Sequence, residues 1–424
     1  MTKPLNFLWP LFSLFLQGTI LPSNAEQEDW QWQENLLPDV GFELDQATVY
    51  RVTSLEGEGR GTLRDALQQK GPRLVIFEVG GVIDLKERGL SIRHPQIVVA
   101  GQTAPSPGIT LIKGGLEIRE SQVVLQHLRI RPGDAGKAKR SGWEPDGITT
   151  TRGPSDVWID HCSVTWCVDE GISPTSYKPE DGIPSHRLFV RNCIIAEGLN
   201  DSTHAKGPHS KGSLIFGGTQ QVALVRNLYC SNVERNPLFQ PRTSGVIVNN
   251  VIANPGQRSI HVGLDPAYGE GQPVLSVVGN IVLFGEDTKL SSAVFEGIAS
   301  AHFRGNVGFN RDGQTIPVLR KPFDTLPEPP LWPEGLEPIG EAQTLWHVAR
   351  RVGARPGDRD ATDARIVSQA LAGTSRMIDS QDEVEGYPDV EPTIRSLDVP
   401  EQGRREWLNQ FSAEVGVSIP LSAE

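Results

Sequence analysis

The feature that most constrains this chain is a loose repeat: a polar pair, usually ending in Asn or His, followed by an aliphatic step. It appears as Gln126-His127-Leu128-Arg129-Ile130, Asp160-His161-Cys162-Ser163-Val164 and Arg191-Asn192-Cys193-Ile194-Ile195. It returns as Arg226-Asn227-Leu228-Tyr229, Asn249-Asn250-Val251-Ile252, Gly279-Asn280-Ile281-Val282 and Gly305-Asn306-Val307, with successive runs 23 to 35 residues apart. Short strands recurring at such a spacing suit a solenoid, in which equivalent residues of neighbouring coils stack. Three short strands per coil give a parallel β-helix. The recurring Asn then forms a side-chain ladder at a turn, and the aliphatic positions stack into a core. A β-sandwich with chance Asn-aliphatic pairs is the alternative that the irregular period leaves open.

The rest of the chain agrees with an all-β body. The runs LVIFEV, IVVA, ITLI, LEI and VVLQHLRI are short, apolar and separated by Gly and Pro, which reads as strands. The 44 Gly and 32 Pro show no collagen period and favour a turn-rich β protein over a helical bundle. Gly61 to Leu67 predicts a short helix over 62–69, with Thr62 as N-cap and Asp65 three residues on. Such a helix can cover an open end of the coil and block edge pairing. Residues 26–310 are therefore the body, beginning with an acidic, Trp-containing leader at 26–45. Residues 311–340 are a Pro-rich connector. Residues 341–424 are a strap. In the strap Leu345, Val348, Ala349 and Val352 share one helical face that Gly353 ends. A second helix starts near Asp358 or Asp360 and stops at Gly373. The tail beyond, with Pro388, Pro392 and Pro400, is expected to be mostly extended.

Residues 1–25 read as a secretory signal. Lys3 precedes an apolar run at 5–16 that is too short to span a bilayer, and Ser23-Asn24-Ala25 supplies small residues for cleavage. No later segment resembles a membrane span. The expected location is extracellular or periplasmic, where disulfides are permitted. Cys162 and Cys193 nevertheless fall in strand-like runs, and with Cys167 and Cys230 they can equally be buried thiols. No CxxC pair supports a zinc or redox site. The net charge of -12 argues against nucleic acid as partner.

Four clusters can carry chemistry. They are Glu144-Pro145-Asp146-Gly147, the run from Trp158 to Glu170, the run from His204 to Gly212, and Glu234-Arg235-Asn236-Pro237 followed by Arg242. On consecutive coils of a β-helix the carboxylates of the first two come close together. Hard oxygen ligands gathered irregularly suit Ca²⁺. Between residues 202 and 245 Lys206, Lys211, Arg226, Arg235 and Arg242 stand against one acid, Glu234. A basic strip on an acidic protein suits a polyanion. Asp160 and His161 read as a hydrogen-bonded structural pair. His204 and His209, five apart in a Gly/Pro loop, lack a metal spacing, and Trp158 and Trp166 read as packing residues.

The run VWIDHCSVTWCVDEGIS, the later ERNP and the NNVIAN segment resemble the pectate lyases of the right-handed parallel β-helix class. So do VVAGQTAPSPGITL and the stretch GARPGDRDATDARIVSQALAGTSRMIDSQDEVEGYP, and the resemblance covers roughly residues 50–395. It implies Ca²⁺-dependent β-elimination on α-1,4-linked galacturonate, in which a base takes the C5 proton and the C4 oxygen leaves. By the same resemblance Arg235 is that base and Lys211 binds substrate. Arg242 is a second substrate arginine, although its spacing departs by about two residues. Asp146 and Asp169 are Ca²⁺ ligands, with Glu144 a further one. Four residues before Asp169, where the family is often acidic, this chain has Thr165, and Glu170 would have to compensate. The implied partner is pectate, bound by a monomer. Three rivals stay open: a polygalacturonase-like hydrolase using Asp146 and Asp169, a lyase of another uronate polymer such as alginate, and a non-catalytic polysaccharide-binding β-helix.

Overall fold

The computed structural model describes residues 30–34, 36–39, 41–178 and 182–416. The signal expected at 1–25 lies outside them. Along the repeat, each coil turns one corner through a residue with positive φ: His127 (59°), His161 (49°), Asn192 (54°), Arg226 (56°), Asn249 (54°), Gly279 (67°) and Gly305 (64°). Left-handed backbone is costly for most side chains and least so for Gly and Asn. That preference accounts for Asn or Gly at four of these corners, while His127, His161 and Arg226 hold the other three.

The second member builds the ladder. Asn227, Asn250 and Asn280 each donate Nδ2–H to the Oδ1 of the Asn one coil on, at 3.0, 2.9 and 2.9 Å, the last acceptor being Asn306. The same Oδ1 atoms accept the backbone N–H of the preceding coil's ladder residue, so the corner's polar groups are satisfied internally. In the first three pairs the left-handed residue is the second member, so the ladder position shifts by a residue. In the coil of Arg191 the ladder position is held by Cys193, whose backbone N–H donates to Asn227 Oδ1 at 2.9 Å, and Asn192 is the left-handed residue. Cys162 and Cys193 thus sit at corners, not inside strands. All four cysteines are buried and free.

The result is a right-handed parallel β-helix with three faces. Sheet A has ten parallel strands from Thr48–Val52 to Ser300–Arg304. Sheet B runs from Val79–Asp84 to Val307–Phe309 and gains one antiparallel strand, Thr393–Ile394, from the strap. The third face is two four-stranded sheets, one from Leu90–Ile92 to Ile172–Tyr177 and one from Leu214–Ile215 to Phe295–Glu296. Inward residues such as Ile159, Ile172, Leu224 and Val282 fill the prism. Helix α1 (Leu63–Gln68) sends Leu63, Ala66 and Leu67 into that core at the first coil. Thr62 Oγ1 accepts the Asp65 N–H at 3.2 Å, and the Asp65 carboxylate accepts the Gly61 N–H at 3.1 Å, the reciprocal cap that the sequence indicated.

Two of the three faces are also covered outside. On sheet A, Trp30 and Trp32 of the leader pack on Phe189 and Trp158, whose rings stack at 3.8 Å. Sheet B is covered by α2 (Glu341–Arg351) and α3 (Ala361–Ala372) through Val348, Val352, Ile366 and Ala370. Helix α3 begins at Asp360, whose side chain accepts the Asp363 N–H, and Gly373 closes it in left-handed conformation. The tail departs from expectation. Arg404–Glu414 is a helix, α4, that presses Leu408 and Phe411 onto sheet A. No helix among the described residues is long and apolar enough to cross a membrane. Among the described residues no such apolar layer lies over the third face, so that face is where a ligand can meet the coil.

Candidate active site

The two sheets of the third face meet at isolated bridges, Glu170 to Lys211 and Lys211 to Glu234. Strand register places Asp146 beside Glu170, because Ile148 pairs with Ile172 two residues later. Asp146, Glu170, Lys211 and Glu234 therefore form one charged column across four consecutive coils. Adjacent parallel strands lie about 4.8 Å apart, which brings residues far apart in sequence within contact. One position on, the column is Gly147, Gly171 and Gly212, and then Arg235, whose φ is 63°. The run of glycines lets the coils approach closely: a Cβ on Gly212 would meet the Arg235 carbonyl oxygen at 2.5 Å.

Asp146, Asp169 and Glu170 each offer a carboxylate oxygen within 4.8 Å of the others. Asp146 Oδ1 accepts the Glu170 N–H at 3.0 Å. The guanidinium of Arg235 is pressed against Glu170, and Lys211 Nζ donates to Glu234 Oε1 at 2.5 Å. Burial, then the Asp169 charge, pushes the Asp146 carboxyl up to about 8, with Arg235 opposing. Burial raises Asp169 too, but His209, Arg235 and His204 outweigh it and hold its pKa below the ordinary value. Burial lowers Arg235 against the carboxylates of Asp169 and Asp146. Burial raises Glu234, and Lys211 more than reverses it. Three crowded carboxylates, whose mutual repulsion a cation relieves, form a donor set that fits a hard divalent ion such as Ca²⁺.

The groove above this column continues past Arg235. Thr149, Ser173 and Thr175 lie along its floor. Tyr177, Phe216 and Tyr268 form an aromatic wall, with ring centroids 6.3 Å apart for the first pair and 5.2 Å for the second. Sequence reading missed this wall. It weighed Trp158 and Trp166 instead, which are buried in packing roles as expected. Isolated aromatics on separate coils give no periodic signal until the coils are stacked.

No family model matches the chain. A probable pectate lyase C of Neosartorya fischeri is 30% identical over 358 residues, covering 80% of this chain and 76% of the relative. The chain belongs to the pectate lyase family. A probable pectate lyase C of Aspergillus flavus is 34% identical over 270 residues, and there the match spans 62% of this chain and 54% of the relative, about half its length. The crystal structure of jun a 1, the major allergen from cedar pollen, shares the fold at a TM-score of 0.50 and 15% identity, covering 72% of this chain and 88% of that one.

Against the pectate lyase pattern, Asp146, Asp169, Glu170, Lys211 and Arg235 converge on one flank. Glu144 does not join them. Its Oε1 accepts the Ala205 N–H at 2.8 Å and lies 3.4 Å from His204 Nδ1. Arg242 is exposed, with its side chain beside Gly269, and stands off the groove lining that holds Arg235. Thr165 ends a strand of sheet B and is fully buried, and its hydroxyl is without a hydrogen-bond partner. The pairing of Asp160 with His161 (2.7 Å) and Arg191 (2.9 Å) is buried beside a corner of the coil, a structural role. His204 and His209 run against the sequence reading: their rings stack at 3.7 Å, and both reach Asp169. A five-residue separation in an irregular loop carried no hint of that stacking.

Proposed function

We propose that this protein is an exported pectate lyase that cleaves α-1,4-polygalacturonate by β-elimination with Ca²⁺, and that Arg235 is the base. The observation that carries the reading is the carboxylate trio Asp146, Asp169 and Glu170 beside Arg235 and Lys211 at the edge of one open groove. Asp146, Asp169 and Glu170 would hold the ion. When bound, Ca²⁺ supplies positive charge that offsets the substrate's uronate carboxylates and the negative charge growing as C5 is deprotonated.

The remaining work belongs to the chain's own groups. Lys211, kept in place by Glu234, offers a cation to a uronate carboxylate. Arg235 is held by the left-handed turn at the rim and is partly shielded from water, which lowers the cost of its neutral form. In that form it accepts the C5 proton. The C5–H electrons form the C4–C5 double bond, the C4–O bond breaks, and the departing oxygen is protonated from solvent. Tyr177, Phe216 and Tyr268 offer apolar faces to the pyranose rings. The apolar run at 5–16 with Ser23-Asn24-Ala25 supports export.

Three carboxylates bunched this tightly repel one another and favour a cation over the spaced acid and base pair of a glycoside hydrolase. The deciding assay supplies polygalacturonate, alginate and methylated pectin side by side, with Ca²⁺ and with chelator. Ultraviolet absorbance from a new double bond on polygalacturonate, abolished by chelator and restored by Ca²⁺, is the expected result. New reducing ends without that absorbance would replace the lyase reading with hydrolysis.

A further inference from the structure

We infer a distal subsite for a uronate carboxylate of the polymer, two coils before Asp146, with Arg93 as the residue that reads its charge. The choice of ligand rests on the proposed action on polygalacturonate. Asp146 and Thr149 line the stretch of groove that holds Arg235, and they also line a second stretch that runs on over Ser91 and Glu117 to Arg93. The groove is therefore continuous from Arg235 to Arg93.

Strand register gives the layout. Ser91 pairs with Glu117, and Glu117 with Thr149, so these outward residues form one row across three consecutive coils. Gly89 and Gly115 extend the glycine column toward the first coils, and no side chain rises from the floor there. Trp143 precedes the strand of its coil and Arg93 follows the strand of its own, so the two flank the floor from opposite sides. The indole Nε1–H donates to the Gly133 carbonyl at 2.9 Å, which fixes a half-buried ring beside the groove.

Arg93 is singled out by a charge that nothing compensates. Both acids of this stretch are already paired. Glu117 accepts from Arg119 Nε at 2.6 Å, Thr151 Oγ1 at 2.8 Å and Ser91 Oγ at 3.3 Å, and Glu87 pairs with Lys137 at 2.7 Å. Arg93 is exposed, its Nε donates to Ser91 Oγ at 3.4 Å, and among the described residues no carboxylate pairs with it. Ser91 thus steadies the stem and leaves the terminal nitrogens to a ligand. A guanidinium fork matches a carboxylate in bidentate fashion. Arg64 adds positive charge at this end of the groove, where it donates to the carbonyls of Gly57, Arg88 and Gly89. On a chain of net charge -12, such a local excess suits a polyanion.

Three strand pairings and two bridges separate the coil of Arg93 from that of Arg235. That is about 24 Å along the axis, which a polymer spans and a trisaccharide does not. The whole chain and Arg93→Ala are therefore compared on polygalacturonate and trigalacturonate with Ca²⁺. The ratio of kcat/KM for polymer to that for trimer should fall about tenfold in Arg93→Ala, through KM and not kcat. Arg93 is exposed, so the variant keeps the fold. Arg311→Ala, which removes an exposed arginine outside the groove, should leave the ratio unchanged. An unchanged ratio in Arg93→Ala overturns the inference. So does an equal fall in Arg311→Ala, because net charge alone would then account for it. Absence of elimination by the wild type refutes the lyase reading instead. The subsite is then read from equilibrium binding of polygalacturonate, where Arg93→Ala should raise Kd about tenfold and an unchanged Kd overturns it.

Discussion

Arg235 stands one coil beyond Gly212 in the same column, and the methyl group that Gly212 lacks would sit 2.5 Å from the Arg235 carbonyl oxygen. The position of the proposed base is therefore set by a neighbour with no side chain. Gly212→Ala should force the Arg235 backbone outward, while the looser contact with the Tyr229 ring at 3.1 Å needs only a small adjustment. Since displacing a reacting group by about 1 Å can cost on the order of 100-fold in rate, turnover of polygalacturonate should fall by about that factor. The melting temperature should change much less. Undiminished turnover in Gly212→Ala would show that Gly212 does not set the base's position, and undiminished turnover in Arg235→Ala would show that Arg235 is not the base.

Glu170 serves two partners in the proposed mechanism, an ion and Arg235. Glu170→Gln leaves Asp146 and Asp169 as the remaining carboxylates, and Ca²⁺ affinity depends strongly on ligand charge. The Ca²⁺ concentration for half-maximal binding should rise by about tenfold, or about 1.4 kcal/mol. Calorimetric titration of the variant beside the wild type measures it, and an unchanged midpoint would remove Glu170 from the ligand set.

The strap is fastened by charge as well as by apolar contact. Arg131, fully buried, donates to Asp360 Oδ2 at 2.7 Å and to Asp363 Oδ1 at 2.9 Å, and Ser163 Oγ donates to Asp363 Oδ2 at 2.7 Å. Without Asp363, Arg131 keeps Asp360, but Ser163 and one side of the guanidinium lose a buried acceptor, which typically costs about 1–3 kcal/mol. Asp363→Ala should lose that much in chemical denaturation and expose the sheet B strands under α3 to faster hydrogen exchange. A loss under about 1 kcal/mol would mean that α3 docks by its apolar face alone, on the scale of ordinary surface substitutions.

What the sequence disclosed, and what it hid, follows from the range of each signal. The Asn ladder was legible because stacking repeats one residue type on coil after coil, from Asn227 to Asn306. It was misplaced at Asn192 because a left-handed corner and a ladder position both favour Asn, and adjacent residues in the same pair cannot be told apart by type. The helices α1, α2 and α3 announced themselves through local features: Thr62 and Asp65 as caps, Gly353 and Gly373 as stops. Helix α4 has weaker boundaries, with Gly403 in left-handed conformation before it and no side-chain cap, and the prolines at 388, 392 and 400 pointed to an extended tail. At the site, Asp146, Asp169, Lys211 and Arg235 were recognisable by motif. The imidazole pair and the aromatic wall depend on how irregular loops fold back, and no period in the chain encodes that.

The corner residue His127 predicts how stability depends on pH. Its ring is fully buried and stacks on His161 at 5.1 Å, and Nδ1–H donates to the Ala354 carbonyl at 2.7 Å. Burial, reinforced by His161 and Arg355 and opposed by Asp160, brings its pKa down to about 3. In the unfolded chain a histidine titrates near 6.5. Between those values the unfolded chain carries the extra proton, so acidification favours unfolding. Stability attributable to this ring is complete above about pH 6.5 and drains away as the pH falls toward 3, by at most about 1.4 kcal/mol per pH unit. His261, which burial brings down to about 4, adds a second contribution of the same sign over a shorter window. Asn is the residue that the coil uses at the equivalent corners 192 and 249, so His127→Asn keeps a side chain compatible with positive φ and an N–H for Ala354. Urea midpoints measured from pH 4 to 7 should show a shallower pH slope in His127→Asn than in the wild type, whatever the variant's absolute stability. Parallel slopes in the two proteins would mean that His127 is not held neutral in the fold.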